Sequence, residues 1–115
     1  MKLIKENEII IKKSRFVAYN YSIDSADEVK VILKELKDKH KKANHFPYAY
    51  KVNNTAGKND DKEPNGTAAM PIYGMLEKNN IENTLIVVVR YFGGTKLGAG
   101  GLLRAYLNAA LSVLK

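Results

Sequence analysis

The sequence predicts an α+β fold, a two-layer sandwich in which a mixed or antiparallel sheet of four to five strands is covered by helices largely on one face. Two observations predict it. Segments rich in β-branched and aromatic residues alternate with segments whose apolar residues recur at helical spacing. At 115 residues and without a cysteine, the chain can bury a core with no disulfide or cysteine-bound zinc. We therefore expect one domain over residues 1–115.

The N-terminal part of the chain predicts two strands and a helix. Residues 8–22 mix short apolar runs with β-branched and aromatic residues, which indicates two antiparallel strands with a kink near residues 12–14. Residues 25–42 place apolar side chains at helical spacing, and Ser25 and Glu28 form a capping-box pattern at the start of this helix. The lysines at its far end complement the helix dipole.

The middle of the chain predicts a strand, a loop, a short helix and a second strand. Residues 47–52 alternate in the manner of a half-buried strand. Residues 53–67 are rich in Asn, Asp, Gly and Lys, which predicts an exposed loop. Pro71 is suited to the first position of a helix that runs to about Lys78. The β-branched run of residues 84–90 is typical of a central strand covered on both faces.

The last predicted element is an amphipathic helix over residues 102–115, packed against the sheet. Its apolar face comprises Leu103, Leu107, Ala110, Leu111 and Leu114, and its polar face comprises Arg104, Asn108 and Ser112. Arg104 falls in the first turn of this predicted helix, where a cation opposes the helix dipole unless an anion compensates for it.

Five of the eight glycines lie within residues 93–101, between the last predicted strand and the last predicted helix. Glycine lets consecutive backbone N–H groups form a concave anion site, and the helix start adds partial positive charge. The predicted anion- or nucleic-acid-binding residues are Arg90, Gly93, Gly94, Lys96, Gly98, Gly100, Gly101 and Arg104. Alternatively, the glycines only permit a tight turn and close packing of the helix. The Walker A and dinucleotide-binding patterns do not match.

A second group of residues could face that turn across a cleft. The group consists of His45, Asp60, Asp61, Glu63, Gly66 and Thr67. Its carboxylates are of the type that binds Mg²⁺ or acts in acid–base catalysis, although carboxylates in an Asn- and Lys-rich loop more often solvate a turn. Its histidine could stack on a base or form a hydrogen bond at a strand edge. We predict no catalytic residue, no metal site and no cofactor.

The formal net charge of +7 and the isoelectric point of about 9.5 favour acidic partners, of which nucleic acid is the commonest. Dispersed lysines are equally consistent with a solvated surface. The N-terminal segment does not resemble a signal peptide, and the chain has no apolar run of the length of a membrane span. We therefore expect a cytoplasmic protein.

Three segments resemble the N-terminal domain of the IMPACT/YigZ family. They are residues 43–52, 59–72 and 87–106. The resemblance extends from about Lys13 to the C terminus and implies a fold like the second domain of a small-subunit ribosomal protein. At three positions this chain departs from the usual Gly, Ser and Gly of the family, with Lys62, Asn65 and Ala69. Bacterial members generally have a second domain resembling part of an elongation factor, which we expect to be absent here.

Three functions remain open. The first is a noncatalytic, translation-associated module that binds RNA or ribosomal phosphate through the glycine-rich turn. This fits the nucleic-acid binding usually proposed for bacterial members of the family. The second is a protein-binding regulator of translation or stress response, because eukaryotic members compete for an activator of a starvation-responsive kinase. The third is an enzyme that acts on a small anionic substrate.

Overall fold

The computed structural model describes residues 1–114. The strands are β1 (Lys2–Ile11), β2 (Ser14–Ser22), β3 (Tyr48–Val52), β4 (Thr55–Asn59) and β5 (Thr84–Tyr91). The helices are α1 (Asp27–Lys39), α2 (Ala69–Lys78) and α3 (Gly98–Leu111). The strands form one sheet in the order β1-β2-β5-β3-β4, and every pairing is antiparallel. The predicted α+β class is confirmed.

Strand β5 lies at the centre of the sheet, and all of its residues but the last are buried. Successive side chains of a strand point to opposite faces. Ile86 and Val88 pack with α2 and α3 on one face, whereas Val87 and Val89 pack with α1 on the other. Two of the three helices thus share a face, and α1 covers the second face. Because both faces of β5 are covered, its sequence is continuously apolar.

The predicted loop at residues 53–67 is wrong in its first half, because Thr55–Asn59 forms the edge strand β4. Asn53 and Asn54 make the two-residue turn before it with φ angles of +51° and +60°, which asparagine tolerates well. The side chains of β4 are mostly exposed, so the strand has no apolar periodicity by which it could be recognised.

The capping box predicted for α1 does not form. Ala26 is the N-cap residue of this helix, and no side chain caps it. Glu28 instead accepts a hydrogen bond from the backbone N–H of Asp24, at 3.3 Å. The acidic residues of the first turn still complement the helix dipole.

Helix α2 begins two residues before Pro71, which therefore lies inside its first turn. Proline is tolerated there because the first N–H groups of a helix have no partner within it. The carboxylate of Asp60 accepts hydrogen bonds from the backbone N–H groups of Gly66, Ala68 and Ala69, at 2.8 to 3.2 Å. Asp60 therefore caps α2 from outside the helix.

Helix α3 begins at Gly98, four residues before the predicted start. Its predicted apolar face is correct at Leu107, Ala110 and Leu114, which pack in or against the core, and wrong at the other two positions. Leu103 and Leu111 are 39% and 44% exposed. The buried residues of this helix are Leu102, Ala105, Tyr106, Ala109 and Ala110. The ring of Tyr106 packs edge-on against the ring of Phe16 on β2, with centroids 5.2 Å apart. The predicted helix also included Lys115, which lies outside the described residues.

Among residues 1–114, we find no helix with the length and apolar character needed to cross a membrane.

Candidate functional site

A cleft opens where β5 ends and α3 begins, with a volume of about 450 Å³. We call it the α3 cleft. Its walls are the first turn of α3 with Lys96 and Leu97, the end of β5 with Arg90 and Phe92, and two short segments around His45 and Glu63. The fold thus brings five predicted site residues to one place, namely His45, Glu63, Arg90, Lys96 and Gly98.

The start of α3 is open to a ligand. Leu97 is the N-cap residue, no side chain within the described residues caps this end, and the first turn contains no acidic residue. The first N–H groups of a helix have no partner inside it, and together they are equivalent to about half a positive charge. By contrast, α1 has Asp27 and Glu28 in its first turn and α2 is capped by Asp60. An anion in the cleft would satisfy N–H groups that the protein itself leaves open.

The glycines before α3 have defined conformational roles. Gly94 and Gly98 have φ angles of +86° and +75°, which other residues adopt only with strain. At Gly93, a Cβ atom would lie 2.1 Å from the carbonyl oxygen of Lys13, so only glycine permits the close approach of the β1–β2 turn. At Gly100 and Gly101 a Cβ atom would meet only ordinary contacts. The glycines therefore permit a tight turn and close packing on the β1–β2 turn, and the same segment leads into an uncapped helix start.

Arg90 lines the cleft, and its positive charge is already paired with Glu63. Its Nη1 donates to both carboxylate oxygens of Glu63, at 2.8 and 3.1 Å, and its Nη2 donates to Ser14 Oγ at 3.3 Å. The guanidinium also lies 5.5 Å from the ring centroids of both Phe16 and Phe92. Arg90 is only 6% exposed, and its buried Nε has no hydrogen-bond partner among the described residues.

Glu63 joins four elements of the structure in one network. Besides Arg90, it accepts a hydrogen bond from the hydroxyl of Tyr106 on α3. Burial and the Glu63 charge raise the pKa of Tyr106 well above its ordinary value, so the hydroxyl stays protonated. His45 Nε2 lies 3.6 Å from Glu63 Oε1, and its Nδ1 donates to the backbone oxygen of Asp61 at 2.8 Å. The network thus fixes the positions of His45, Glu63 and Arg90, which line the cleft.

The other predicted cleft partners lie outside the cleft and stabilise the loop that holds Glu63. Asp61 accepts a hydrogen bond from the backbone N–H of Phe46 at 2.6 Å, and Asp60 caps α2. Gly66 has a φ angle of +80°, and the Thr67 hydroxyl donates to the Pro64 carbonyl. Within the described part of the chain, no group of three or more His, Asp or Glu side chains could hold a metal ion.

Lys96 and Arg104 are exposed cations on opposite sides of Leu97. Lys96 lines the α3 cleft, whereas Arg104 lies beside a separate groove. Arg104 was predicted to lie in the first turn of the helix. Because α3 begins at Gly98, Arg104 lies in the second turn. Neither side chain forms a hydrogen bond or ion pair with the described residues. Both remain available to an anion.

Sequence reasoning missed Phe92 and Asn44, which also line the cleft. Phe92 is 49% exposed, and its backbone N–H donates to Asn44 Oδ1 at 2.8 Å, which fixes the chain where β5 ends. The position of Phe92 directly before the glycine pair was the one feature of the sequence that could have indicated a role in the cleft. Its exposure depends on the fold and could not be inferred from the sequence.

His40 is the centre of a second polar cluster, on the α1 face of the sheet. It is only 8% exposed, and its ring nitrogens form hydrogen bonds with the hydroxyls of Tyr19 and Tyr91. Burial, followed by the charges of Lys39 and Arg15, lowers the pKa of His40 below its ordinary value. This cluster is separate from the α3 cleft.

A sequence profile of the Impact N-terminal domain matches residues 12–114. The chain belongs to the IMPACT family. Two of its bacterial IMPACT relatives are YvyE of Bacillus subtilis, 42% identical over 104 residues, and YigZ of Escherichia coli, 36% identical over 112 residues. The alignments cover 88% and 90% of this chain but 48% and 55% of those relatives. This chain thus spans about half the length of the curated relatives that it matches.

Two solved structures share the fold of this IMPACT family chain. The crystal structure of a hypothetical protein superposes with a TM-score of 0.92 at 31% identity, over 98% of this chain and 57% of that one. The two-domain translational regulator Yih1 superposes with a TM-score of 0.59 at 22% identity, over 96% of this chain and 46% of that one. The family resemblance predicted from the sequence is confirmed.

Proposed function

We propose that this chain is a noncatalytic, translation-associated binding module whose α3 cleft binds a phosphate group of RNA or of the ribosome. The observation that supports this proposal most is the uncapped start of α3, which opens into the cleft beside Lys96. The family adds support for a link to translation, because a protein with the same fold is described as a translational regulator.

The charges of the cleft favour an anion. Of the described residues, Glu63 is the one acidic side chain that lines it, and Arg90 neutralises this carboxylate at 2.8 Å. Lys96 and the partial positive charge of the helix start are then left without a counter-charge.

The apolar part of the cleft favours a nucleotide over a free phosphate ion. Phe92 is half exposed and lines the cleft together with Leu97 and Pro64. Stacking of a base on an aromatic side chain contributes about 1 to 3 kcal/mol and is tolerant of sequence. A phosphate at the start of α3 with a base against Phe92 would use both parts of the cleft.

Binding of a labelled single-stranded RNA, followed by fluorescence anisotropy at several salt concentrations, tests the proposal. Lys96→Ala should weaken binding and reduce the slope of log affinity against log salt by about 0.7, the value for one lost phosphate contact on a single strand. Lys30→Ala removes an exposed lysine from α1, on the opposite face of the sheet, and should change neither quantity. Equal effects of the two variants would contradict a site at α3.

Phe92→Leu tests the stacking contribution separately. The variant keeps an apolar side chain but removes the ring, so the affinity should fall while the salt slope stays unchanged. A change in slope with no change in affinity at low salt would show that Phe92 acts through the charges and not by stacking.

A protein-binding regulator is the second candidate function, and the description of Yih1 as a two-domain translational regulator favours it. Affinity purification of the tagged chain after nuclease treatment distinguishes the two candidates. A protein recovered in stoichiometric amount by the original chain and by Lys96→Ala alike would favour the regulator. Loss of ribosomal material on nuclease treatment would favour RNA binding.

A further inference from the structure

We propose that the ligand of the α3 cleft is a single-stranded RNA whose neighbouring phosphate binds in a second, basic groove on the other side of Leu97. This inference rests on the proposed function, because it concerns the same ligand. It adds a second subsite, made by residues that do not line the α3 cleft, and it specifies a polynucleotide in place of a free phosphate or a mononucleotide.

The second groove lies between the β1–β2 turn and α3 and has a volume of about 230 Å³. We call it the Lys12 groove. Lys12, Arg104 and Asn108 provide its polar side chains, and no acidic side chain among the described residues lines it. Neither cation has an ion-pair partner in the described part of the chain. The groove therefore has two unbalanced positive charges.

Arg104 lies close to the start of its own helix. Its Nη1 is 3.5 Å from the position that a Cβ atom would take on Gly100, in the first turn of α3. A guanidinium beside the positive end of a helix dipole is unfavourable unless a negative group lies near both. A phosphate bound in the Lys12 groove would compensate the charge of Arg104.

The backbone of the β1–β2 turn fixes the position of the Lys12 Cα atom beside the groove. Lys12 and Lys13 form the β1–β2 turn with φ angles of +47° and +70°, a conformation that favours Asn and Gly and is strained for lysine. Lys13 packs so tightly on Gly93 that a Cβ atom there would lie 2.1 Å from the Lys13 carbonyl oxygen. The turn is therefore fixed beside the loop that leads into α3.

The two grooves adjoin, because Leu97 lines both of them. Lys96 lies on one side of this residue, and Lys12 and Arg104 lie on the other. A free phosphate can occupy only one groove at a time. A strand that crosses Leu97 places successive phosphates in both grooves, so it gains contacts that a mononucleotide cannot make.

The test compares two ligands, an oligouridylate of about ten nucleotides and uridine monophosphate. Affinity for the labelled oligonucleotide is measured by anisotropy, and affinity for the mononucleotide by NMR titration. The variants are Lys12→Ala, Arg104→Ala, Lys96→Ala and, as the matched control, Lys30→Ala. All four side chains are exposed, and folding of each variant is checked by its NMR spectrum.

We expect Lys12→Ala and Arg104→Ala each to weaken oligonucleotide binding several-fold and to reduce the salt slope by about 0.7. Both variants should leave mononucleotide binding unchanged, whereas Lys96→Ala should weaken the binding of both ligands. If only Lys96→Ala weakens oligonucleotide binding, the Lys12 groove is not a subsite and the proposed function stands. If the original chain binds neither ligand, the proposed function fails, and this inference fails with it.

Discussion

Arg90, at the end of β5, donates two hydrogen bonds from Nη1 to the carboxylate of Glu63, in the loop before α2. Both side chains are more than nine-tenths buried. The pair joins the sheet to the loop, and through the Tyr106 hydroxyl it also joins α3. One carboxylate therefore holds together the end of β5, the loop before α2 and helix α3.

Replacing this carboxylate should destabilise the fold strongly. Glu63→Gln keeps the size of the side chain but leaves the buried Arg90 guanidinium without a counter-charge, which costs about 3 kcal/mol or more. Urea denaturation measures the loss. Glu35→Gln, at an exposed position of α1, is the matched control and should change the free energy of unfolding by less than about 0.5 kcal/mol. Equal effects would mean that the pair is not important for stability.

The close approach of the β1–β2 turn predicts a large difference between two glycines. Gly93→Ala should destabilise the protein by about 2 kcal/mol or more, because its Cβ atom would overlap the Lys13 carbonyl. Gly101→Ala places its Cβ atom 3.5 Å from Leu97 Cβ, an ordinary contact, within a helix. This control should be neutral or stabilising by up to about 1 kcal/mol. Thermal denaturation of both variants measures the difference, and similar melting temperatures would argue against the close approach.

Capping of α2 by Asp60 predicts a loss of about 1 to 2 kcal/mol for Asp60→Ala, since three backbone N–H groups lose their acceptor. Asp38→Ala removes an exposed aspartate that pairs with Lys34 and should cost about 0.5 kcal/mol or less. Chemical denaturation gives both values. RNA affinity should be unchanged in Asp60→Ala at a temperature where the variant is folded. A selective loss of binding would assign Asp60 to the ligand site.

The buried His40 predicts that stability falls in mild acid. Its pKa in the folded state lies below the value of about 6.5 for an unfolded chain, so the unfolded chain binds the proton more readily. The free energy of unfolding should therefore decrease as the pH falls from about 6.5 towards the folded-state pKa. Burial is the largest cause, and the charges of Glu6 and Glu8 oppose it only partly.

Denaturation of the original chain and of His40→Gln at about pH 7.5 and about pH 5.5 isolates this contribution. The variant should lose less stability between the two pH values than the original chain, because glutamine does not titrate. An equal loss in both proteins would show that groups other than His40 cause the pH dependence.

Local patterns predicted much of the fold. The continuous apolar run at residues 84–90 correctly indicated a central strand, and the glycine cluster correctly marked the junction between this strand and the last helix. Both features depend on neighbouring residues, which a sequence displays directly. The same holds for the paired strands within residues 8–22.

Contacts between distant segments could not be predicted. Glu63 and Arg90 are 27 residues apart, and nothing local indicates that they pair. Leu103 and Leu111 were wrongly predicted to face the core, because the buried positions of α3 are occupied mainly by alanines and Tyr106. The exposure of Phe92 likewise depends on how three elements meet. These contacts between distant segments form the α3 cleft, and no local sequence pattern indicates them.

If the first backbone N–H groups of α3 bind phosphate, their amide resonances should respond to RNA. NMR titration of nitrogen-15-labelled protein with single-stranded RNA tests it most directly, because each amide reports its own surroundings. We expect the largest chemical-shift changes on the amides of residues 96–101. Changes confined to the lysine-rich end of α1, or no changes at residues 96–101 while RNA binds, would contradict it.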